Sequence, residues 1–135
     1  MQARAILETA LYAENLAETA AFYQRVLGLS PYSTVADRFV FFRLEGHMLL
    51  LFNPNATQVP EAGETLPVPT HGAKGQGHVC FTLEPGQAQA WRDHLTAEGI
   101  EIESDFSWPG TGARSIYFRD PAGNSVELGE RKIWF

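Results

Sequence analysis

The chain has 135 residues, which is enough for one domain with a sizeable core and short of two ordinary domains. Hydrophobic residues make up 44% of the chain and charged residues 19%, a composition that excludes a disordered protein and fits a folded globular one. The net charge is −6 without a Lys/Arg cluster, so no nucleic-acid partner is expected, because phosphate contacts dominate that affinity.

The first half of the chain predicts a strand, a helix and a hairpin, in that order. Alternation over residues 6–13 is strand-like, and Asn15 with Glu18 forms a capping-box signature for a following helix. Apolar residues then recur at helical spacing as far as Gly28, a residue type that often ends helices. Two apolar runs within residues 39–52, separated by a Glu-Gly pair, are typical of a hairpin.

The second half repeats this order. Residues 78–83 are rich in aromatic and β-branched types and predict a strand. A helix follows, with its apolar residues on one face and Gly99 at its end. Strand patterns at residues 115–119 and 125–128 flank the turn sequence Asp-Pro-Ala-Gly-Asn of residues 120–124.

The two halves keep nearly the same register. The helix-ending residues Gly28 and Gly99 lie 71 positions apart, while Glu8 and His78, each in the first strand of its half, lie 70 positions apart. Repeats of this kind are typical of equivalent halves that share one core or one cleft.

The stretch between the halves is rich in proline and glycine and has little periodicity. It is long for a connector, and both a loop that covers a site and a surface linker fit it. The sequence therefore predicts one domain in three parts: module one over residues 1–53, a connector over 54–76 and module two over 77–135.

Three polar residues stand in predicted strands on the phase opposite the apolar side chains: Glu8, His78 and Glu127. Side chains alternate between the two faces of a sheet, so each of the three should point away from the helix-packing side. Solvent or a bound cation would stabilise a face of this kind. Two carboxylates and an imidazole would leave positions on an ion open for water or substrate. Spacing within three separate strands does not decide between a metal site and solvated side chains.

Two sequence motifs run through these strands and helices. Residues 22–28 have the pattern FYxxxLG, and residues 120–128 have the pattern DPxGNxxEL. Together with residues 7–16 and 77–81, they resemble the vicinal oxygen chelate superfamily. That superfamily includes glyoxalase I, type I extradiol dioxygenases, fosfomycin resistance proteins, methylmalonyl-CoA epimerase and bleomycin-binding proteins. The resemblance covers most of the chain outside the connector.

The resemblance implies an α+β fold of two βαβββ modules, whose curved mixed sheets form a shared cleft. It also places Glu8, His78 and Glu127 at ligand positions of the metal enzymes in the superfamily. The module-one counterpart of Glu127 is Leu50, so three ligands are available where glyoxalase I relatives have four. Glu8 also departs from the two histidines and one carboxylate of the extradiol dioxygenases.

The predicted function is a metal-dependent enzyme that uses a divalent ion as a Lewis acid on a small oxygen-rich substrate. Two carboxylates and one imidazole form a hard, net-neutral site that suits Fe, Mn, Ni, Co or Zn. Lyase or isomerase, dioxygenase and thiol-transferase reactions all fit this expectation. The alternative is a metal-free small-molecule binding protein of the bleomycin-resistance kind. The aromatic content of 12% is compatible with that alternative, which has no need of the three ligands.

Further residues are assigned roles around the expected metal. The predicted catalytic residues are Glu8, Glu127 and Tyr117. Tyr117 is included because it lies on the open phase of its strand and has a proton to transfer. The predicted substrate-binding residues are Arg114, Arg119, Phe52 and Trp108. An ordinary sheet, core or surface position is the alternative for each of these five side chains outside the metal set.

The expected partners are a small-molecule substrate and a second copy of the chain. The homodimer is implied by the resemblance, because small members of the superfamily commonly pair or swap modules, and a swapped form would join Glu8 of one copy to His78 and Glu127 of the other. Pairing would also cover the sheet edges. No apolar stretch has membrane-span length, and the N-terminal residues predict no signal peptide. Cys80 is the single cysteine, which fits a reducing compartment, and the cytoplasm is the expected location.

Overall fold

The computed structural model describes residues 1–63 and 65–135, which divide into two compact units, Met1–Gly75 and Gln76–Phe135. The first unit contains β1 (Glu8–Tyr12), α1 (Leu16–Leu27), β2 (Pro31–Val35), β3 (Phe39–Leu44), β4 (His47–Phe52) and the short α2 (Pro54–Thr57). The second contains β5 (His78–Thr82), α3 (Ala88–Ala97), β6 (Ser104–Ser107), β7 (Arg114–Arg119), β8 (Ser125–Gly129) and a 3-10 turn (Arg131–Ile133).

Both units have the same sheet topology. The strand orders are β1-β4-β3-β2 and β5-β8-β7-β6. In each sheet the first strand pairs in parallel with the last, and the other neighbours are antiparallel. Two mixed four-stranded sheets, each in the order βαβββ, confirm the predicted α+β fold.

One face of the first sheet packs against α1, which contacts β3 and β4. In β1 the buried phase is that of Leu11, while Glu8 and Ala10 on the other phase are exposed. Tyr23 of the helix and Phe42 of β3 are fully buried at this interface. Burial of each large apolar side chain contributes about 1.5–3 kcal/mol, so this packing fixes which face of the sheet stays open.

The helix ends are partly as predicted. Gly28 follows α1 with a left-handed φ of 66°, and its N–H bonds to the Tyr23 carbonyl, as the glycine stop predicts. The capping prediction at Asn15 is wrong, because its side chain makes no capping hydrogen bond to the helix backbone. The Asn15 amide donates instead to Glu18, and its oxygen accepts from the Thr19 hydroxyl, both at 3.1 Å.

Two edge strands have no clear pattern in the sequence. All five residues of β2 are exposed, and β6 carries serines and an aspartate in place of alternating apolar residues. The first strand is also shorter than its pattern, since Ile6 and Leu7 are about three-quarters exposed and lie outside β1. Hydrophobic alternation indicates a strand only where one of its faces is buried, so exposed edge strands are difficult to predict from sequence.

The turn between β7 and β8 fixes the start of β5. Asn124 is 1% exposed, and its side-chain oxygen accepts the Gly77 N–H at 2.7 Å, while its amide donates to Asp120 at 2.8 Å. Asp120 is also buried and accepts the Asn124 and Ala122 backbone N–H groups, each at 2.9 Å. The turn motif therefore positions the residue directly before His78. None of the described helices has both the length and the apolar character needed to cross a membrane.

Candidate functional site

The open face of the second sheet brings together residues from three strands. Cys80 and Tyr117 are the register partners of Glu127 on either side, and His78 is paired with Ser125. Paired residues in a sheet point to the same face, so His78, Cys80, Tyr117 and Glu127 share the face opposite the buried Val126. The alternation prediction for His78 and Glu127 is confirmed.

His78 and Glu127 are in direct contact. The Nε2 atom of His78 lies 3.4 Å from Oε2 of Glu127, and Nδ1 lies 3.1 Å from the Ser125 carbonyl oxygen. A carbonyl only accepts hydrogen bonds, so Nδ1 is assigned the ring proton and Nε2 of the neutral ring has a lone pair towards the carboxylate. Nε2 of the neutral ring and the carboxylate of Glu127 are both hydrogen-bond acceptors. Their close approach is stabilised by a proton on Nε2 or by a cation that lies beside both.

The carboxylate of Glu127 is held from behind by a hydrogen-bond chain. Glu127 is 6% exposed, and the Ser115 hydroxyl donates to its Oε1 at 2.6 Å. The indole N–H of Trp108 donates to the Ser115 oxygen at 2.8 Å. Trp108 was predicted to bind substrate, and its indole N–H is engaged in this chain. Ser115 was not predicted as the partner of Glu127, although it occupies the same phase of β7 as Tyr117.

Two further protons lie beside Glu127. Partial desolvation of the sulfur, followed by the negative charge of Glu127, raises the pKa of the exposed residue Cys80 to about 12. Burial and a hydrogen bond to Glu127 likewise raise the pKa of Tyr117 to about 12. Gly129 leaves room for this arrangement, because a Cβ there would lie 2.8 Å from the Cys80 sulfur and 3.1 Å from Oε1 of Glu127. Both groups therefore keep their protons at neutral pH.

His78 and Glu127 fit a divalent ion as a pair of neighbouring ligands. The two facing atoms, His78 Nε2 and Glu127 Oε2, lie 3.4 Å apart, close enough that both would bind one divalent ion. The Nδ1 hydrogen bond to a backbone carbonyl is the usual outer support of a ligating histidine. Taken separately, neither unit gathers three His, Cys, Asp or Glu side chains into a metal cluster among its described residues. The third predicted ligand, Glu8, belongs to the first unit.

Glu8 lies on the open face of the first sheet, at a cavity of about 1000 Å³. Ala10 and Tyr12 continue the same phase of β1 along this cavity, and Phe52, a predicted substrate-binding residue, also lines it. Connector residues in the ranges 57–61 and 66–71 form the remaining wall. These connector residues therefore lie over the open face of the first sheet.

The two predicted substrate-binding arginines are engaged in ion pairs. Arg114 donates to Asp105 at 3.0 Å from the phase of β7 opposite Tyr117, and Asp105 also pairs with Arg92 of α3. Arg119 donates to Glu103 at 2.6 Å and 2.9 Å. An anionic substrate group would have to compete with these carboxylates, and the substrate role of both arginines stays a prediction.

His71 is a residue of the cavity that was not predicted from the sequence. Its Nδ1 lies 2.8 Å from the Tyr12 hydroxyl, and its ring meets Phe52 edge-on with centroids 4.6 Å apart. The one signal in the sequence was that Tyr12 shares the phase of Glu8 in the first strand. His71 lies in the aperiodic connector, where no pattern indicates what it contacts.

A model of the Glyoxalase/Bleomycin resistance protein/Dioxygenase superfamily matches residues 5–128. Among solved structures, the chain is similar to a lactoylglutathione lyase from Agrobacterium tumefaciens, with 43% sequence identity and a TM-score of 0.91. That similarity covers 99% of this chain and 98% of the other.

Two more distant structures share the fold. A glyoxalase/bleomycin resistance protein/dioxygenase from Nocardioides is 27% identical with a TM-score of 0.73, covering 96% of this chain and 85% of that one. A fosfomycin resistance protein from Listeria monocytogenes, complexed with Mn(II) and a phosphonic acid, is 19% identical with a TM-score of 0.67. It covers 96% of this chain and 90% of its own.

Proposed function

The chain belongs to the Glyoxalase/Bleomycin resistance protein/Dioxygenase superfamily, and on that premise we propose that it is a metal-dependent lyase of the lactoylglutathione lyase type. The observation that carries this proposal is the contact between His78 and Glu127 on the open sheet face, where Nε2 of the histidine lies 3.4 Å from an oxygen of a buried carboxylate. The 43% identity to a lactoylglutathione lyase over nearly the whole chain supports it. That identity favours an enzyme over a protein that sequesters a small molecule without metal. No contact among the described residues supports such sequestration.

His78 and Glu127 would hold the ion together with Glu8. Fe, Mn, Ni, Co and Zn all suit two carboxylates and an imidazole. When bound, the ion supplies Lewis-acid polarisation of two adjacent substrate oxygens. In the homodimer that we propose, Glu8 comes from the same chain or, if the modules are swapped, from the other copy. Light scattering tests the mass of that dimer.

The reaction we propose is isomerisation of a thiol hemiacetal to a 2-hydroxy thioester. The carbon-bound proton moves from C1 to C2 by way of a carboxylate, and the hydroxyl proton moves from the oxygen on C1 to the oxygen on C2. The Glu8 carboxylate has no hydrogen-bond or ion-pair partner from the protein among the described residues, and besides holding the ion it would carry the carbon-bound proton. Tyr117, with its pKa raised to about 12, stays protonated, and it would exchange its hydrogen bond to Glu127 for one to a substrate oxygen.

Metal content is the test of this function. We expect about one divalent ion per chain by elemental mass spectrometry, and loss of most of it in Glu8→Ala, His78→Ala and Glu127→Ala. Glu101→Ala, at an exposed loop position, is the matched control and should keep its metal. Thioester formation from a 2-oxoaldehyde and glutathione should follow the metal content. A wild-type protein that takes up no Mn, Fe, Ni, Co or Zn would overturn the proposal.

Ser115→Ala should weaken metal binding about 10-fold while the chain stays folded. The Ser115 hydroxyl fixes one oxygen of Glu127, and loss of such an outer hydrogen bond typically lowers metal affinity about 10- to 100-fold. Calorimetric titration of the metal-free protein with Zn²⁺ or Mn²⁺ measures the change. Ser107→Ala, at an exposed serine of the neighbouring strand, should bind the ion like wild type. Equal affinities in both variants would show that Ser115 does not position Glu127.

A further inference from the structure

One aromatic ring on the edge strand of the second sheet contacts residues that support both His78 and Glu127. Phe106 lies in β6 as the register partner of Ser115, so its half-buried side chain is on the open face of the sheet. Its ring is adjacent to two other aromatic side chains of that face, Tyr117 and Trp108. The one large apolar side chain of β6 therefore lies on the face of the polar site and away from the core.

The first connection runs from Phe106 to His78. The rings of Phe106 and Tyr117 are parallel within 4° with centroids 5.9 Å apart, and the ring of Tyr117 stacks on that of His78 at 6.3 Å and 21°. Aromatic pairs at these separations prefer such offset-stacked geometry. Because β7 lies between β6 and the paired strands β8 and β5, the two contacts are on opposite sides of Tyr117. The ring of Tyr117 is therefore held from both sides, and it limits the rotation of the imidazole.

The second connection runs from Phe106 to Glu127. The ring of Phe106 lies against the indole of Trp108, with centroids 5.1 Å apart and the planes at 59°. Trp108 donates to Ser115, whose hydroxyl donates to Oε1 of Glu127 at 2.6 Å. Trp108 directly follows β6 and is 37% exposed, so the contact with Phe106 restricts a side chain that is otherwise partly solvated.

We propose that Phe106 is a positioning residue, which fixes the side chains of His78 and Glu127 relative to each other. That these two side chains are metal ligands rests on the function proposed above. The side chain of Phe106 has no polar atom, so it acts only through the orientation of Tyr117 and Trp108. Loss of its ring should therefore allow both ligands to move without removing any hydrogen-bond donor or acceptor from the site.

Nitrogen-15 NMR of the full chain in EDTA tests the orientation of His78. At about pH 9, the signal that disappears in His78→Ala should show mainly the tautomer with the proton on Nδ1, because that atom lies 3.1 Å from the Ser125 carbonyl oxygen. In Phe106→Leu the imidazole should rotate more freely, and the share of this tautomer should fall. The measurement needs no metal and reports the ring of one ligand directly.

The indole N–H signals of the same samples test the second connection. In Phe106→Leu the signal of Trp108 should move towards that of a solvated indole, because its hydrogen bond to Ser115 is 2.8 Å long only while the indole is held in place. The signals of Trp91, which lies on α3, and of Trp134, which is 82% exposed, should stay where they are in wild type. These two tryptophans are internal controls for a general change of the second unit.

Two further variants separate positioning from stability. Phe106→Tyr keeps the ring and should give the wild-type tautomer share and the wild-type Trp108 signal. Phe81→Leu removes another half-buried ring of the same sheet, but Phe81 pairs with the buried Leu128 and therefore lies on the opposite face. It should lower the Tm of the metal-free protein and leave both NMR signals unchanged.

The affinity for Zn²⁺, measured by calorimetry, should follow the same order. Phe106→Leu should bind the ion about 2- to 10-fold more weakly than wild type, which is the change expected from the loss of one aromatic contact. Phe106→Tyr and Phe81→Leu should bind it with the wild-type Kd.

The proposal is overturned if Phe106→Leu keeps the wild-type tautomer share and the wild-type Trp108 signal, or if Phe81→Leu changes them to the same extent. Because both spectra are recorded in EDTA, a wild-type chain that takes up no metal refutes the function proposed above and still gives the expected spectra. Conversely, a chain that binds Zn²⁺ equally well as wild type and as Phe106→Leu overturns the positioning role alone.

Discussion

Glu127→Gln should lower the affinity for a divalent ion by more than about 100-fold and leave the metal-free protein folded. Loss of outer hydrogen bonds typically lowers metal affinity about 10- to 100-fold, and this change removes the charge of a proposed ligand itself. The amide oxygen can still accept from Ser115, and the new NH₂ group can donate to the lone pair of His78 Nε2, 3.4 Å away in wild type. In the variant, the side chain at position 127 and His78 are therefore hydrogen-bonded to each other without metal. In wild type, the same two side chains need a proton or a cation between them.

Thermal unfolding with and without added ion measures this difference. Bound metal stabilises the folded state by an amount that grows with the ratio of its concentration to Kd. Wild type should therefore gain in Tm on addition of Zn²⁺ or Mn²⁺, and Glu127→Gln should not. Glu101→Gln, the same change at an exposed position, should behave like wild type. A Glu127→Gln variant that still gains the wild-type increment would contradict the assignment of Glu127 as a ligand.

Cys80 provides a second readout of the same substitution in EDTA. The Glu127 carboxylate is one of the causes that raise the pKa of Cys80 to about 12, because its charge repels the thiolate. Its neutralisation should therefore lower that pKa and move thiol reactivity to lower pH. The shift should be partial, since burial is the largest cause and persists. As Cys80 is the single cysteine, a thiol reagent reports it without interference.

The parts of the fold that the sequence predicts are those set by local chemistry. Gly28 and Gly99 end their helices in left-handed conformations of 66° and 70°, which few other residue types adopt. The hairpin of β3 and β4 follows from two apolar runs around Gly46, whose φ is 67°. Strands β2 and β6 were not predicted, because an exposed edge strand does not require alternating apolar residues.

The candidate site shows the same division. Alternation predicts from the sequence that His78 and Glu127 lie on the open phase of their strands, and the resemblance to the superfamily, not the spacing, placed them in one site. The chain of hydrogen bonds from Trp108 through Ser115 to Glu127 could not be predicted, because it depends on the position of a tryptophan seven residues before Ser115 across a turn. The contacts of His71 could not be predicted either, because a connector without periodicity does not indicate the direction in which its side chains point. Residues that act through others are thus found only once their distances are known.

Phe118→Ala, on the face of the second sheet opposite Glu127, should have the second large effect, a loss of stability. Phe118 is 0% exposed on β7 and pairs with the fully buried Val126 of β8. Removal of a buried phenylalanine ring costs about 3–5 kcal/mol through lost transfer energy and the cavity left behind. Because a domain of this size has about 5–15 kcal/mol of stability, Phe118→Ala should lose a large part of it.

Urea unfolding followed by tryptophan fluorescence measures this loss in the relevant unit, because Trp91, Trp108 and Trp134 all lie in the second unit. Phe135→Ala, at a ring 88% exposed, is the matched control and should change the free energy of unfolding by less than about 0.5 kcal/mol. Phe118 points away from the face of Glu127, so the folded fraction of Phe118→Ala should bind metal with the wild-type Kd. A variant that keeps its stability but loses its metal would instead mean that Phe118 positions the ligands, and that the two faces of this sheet are not independent.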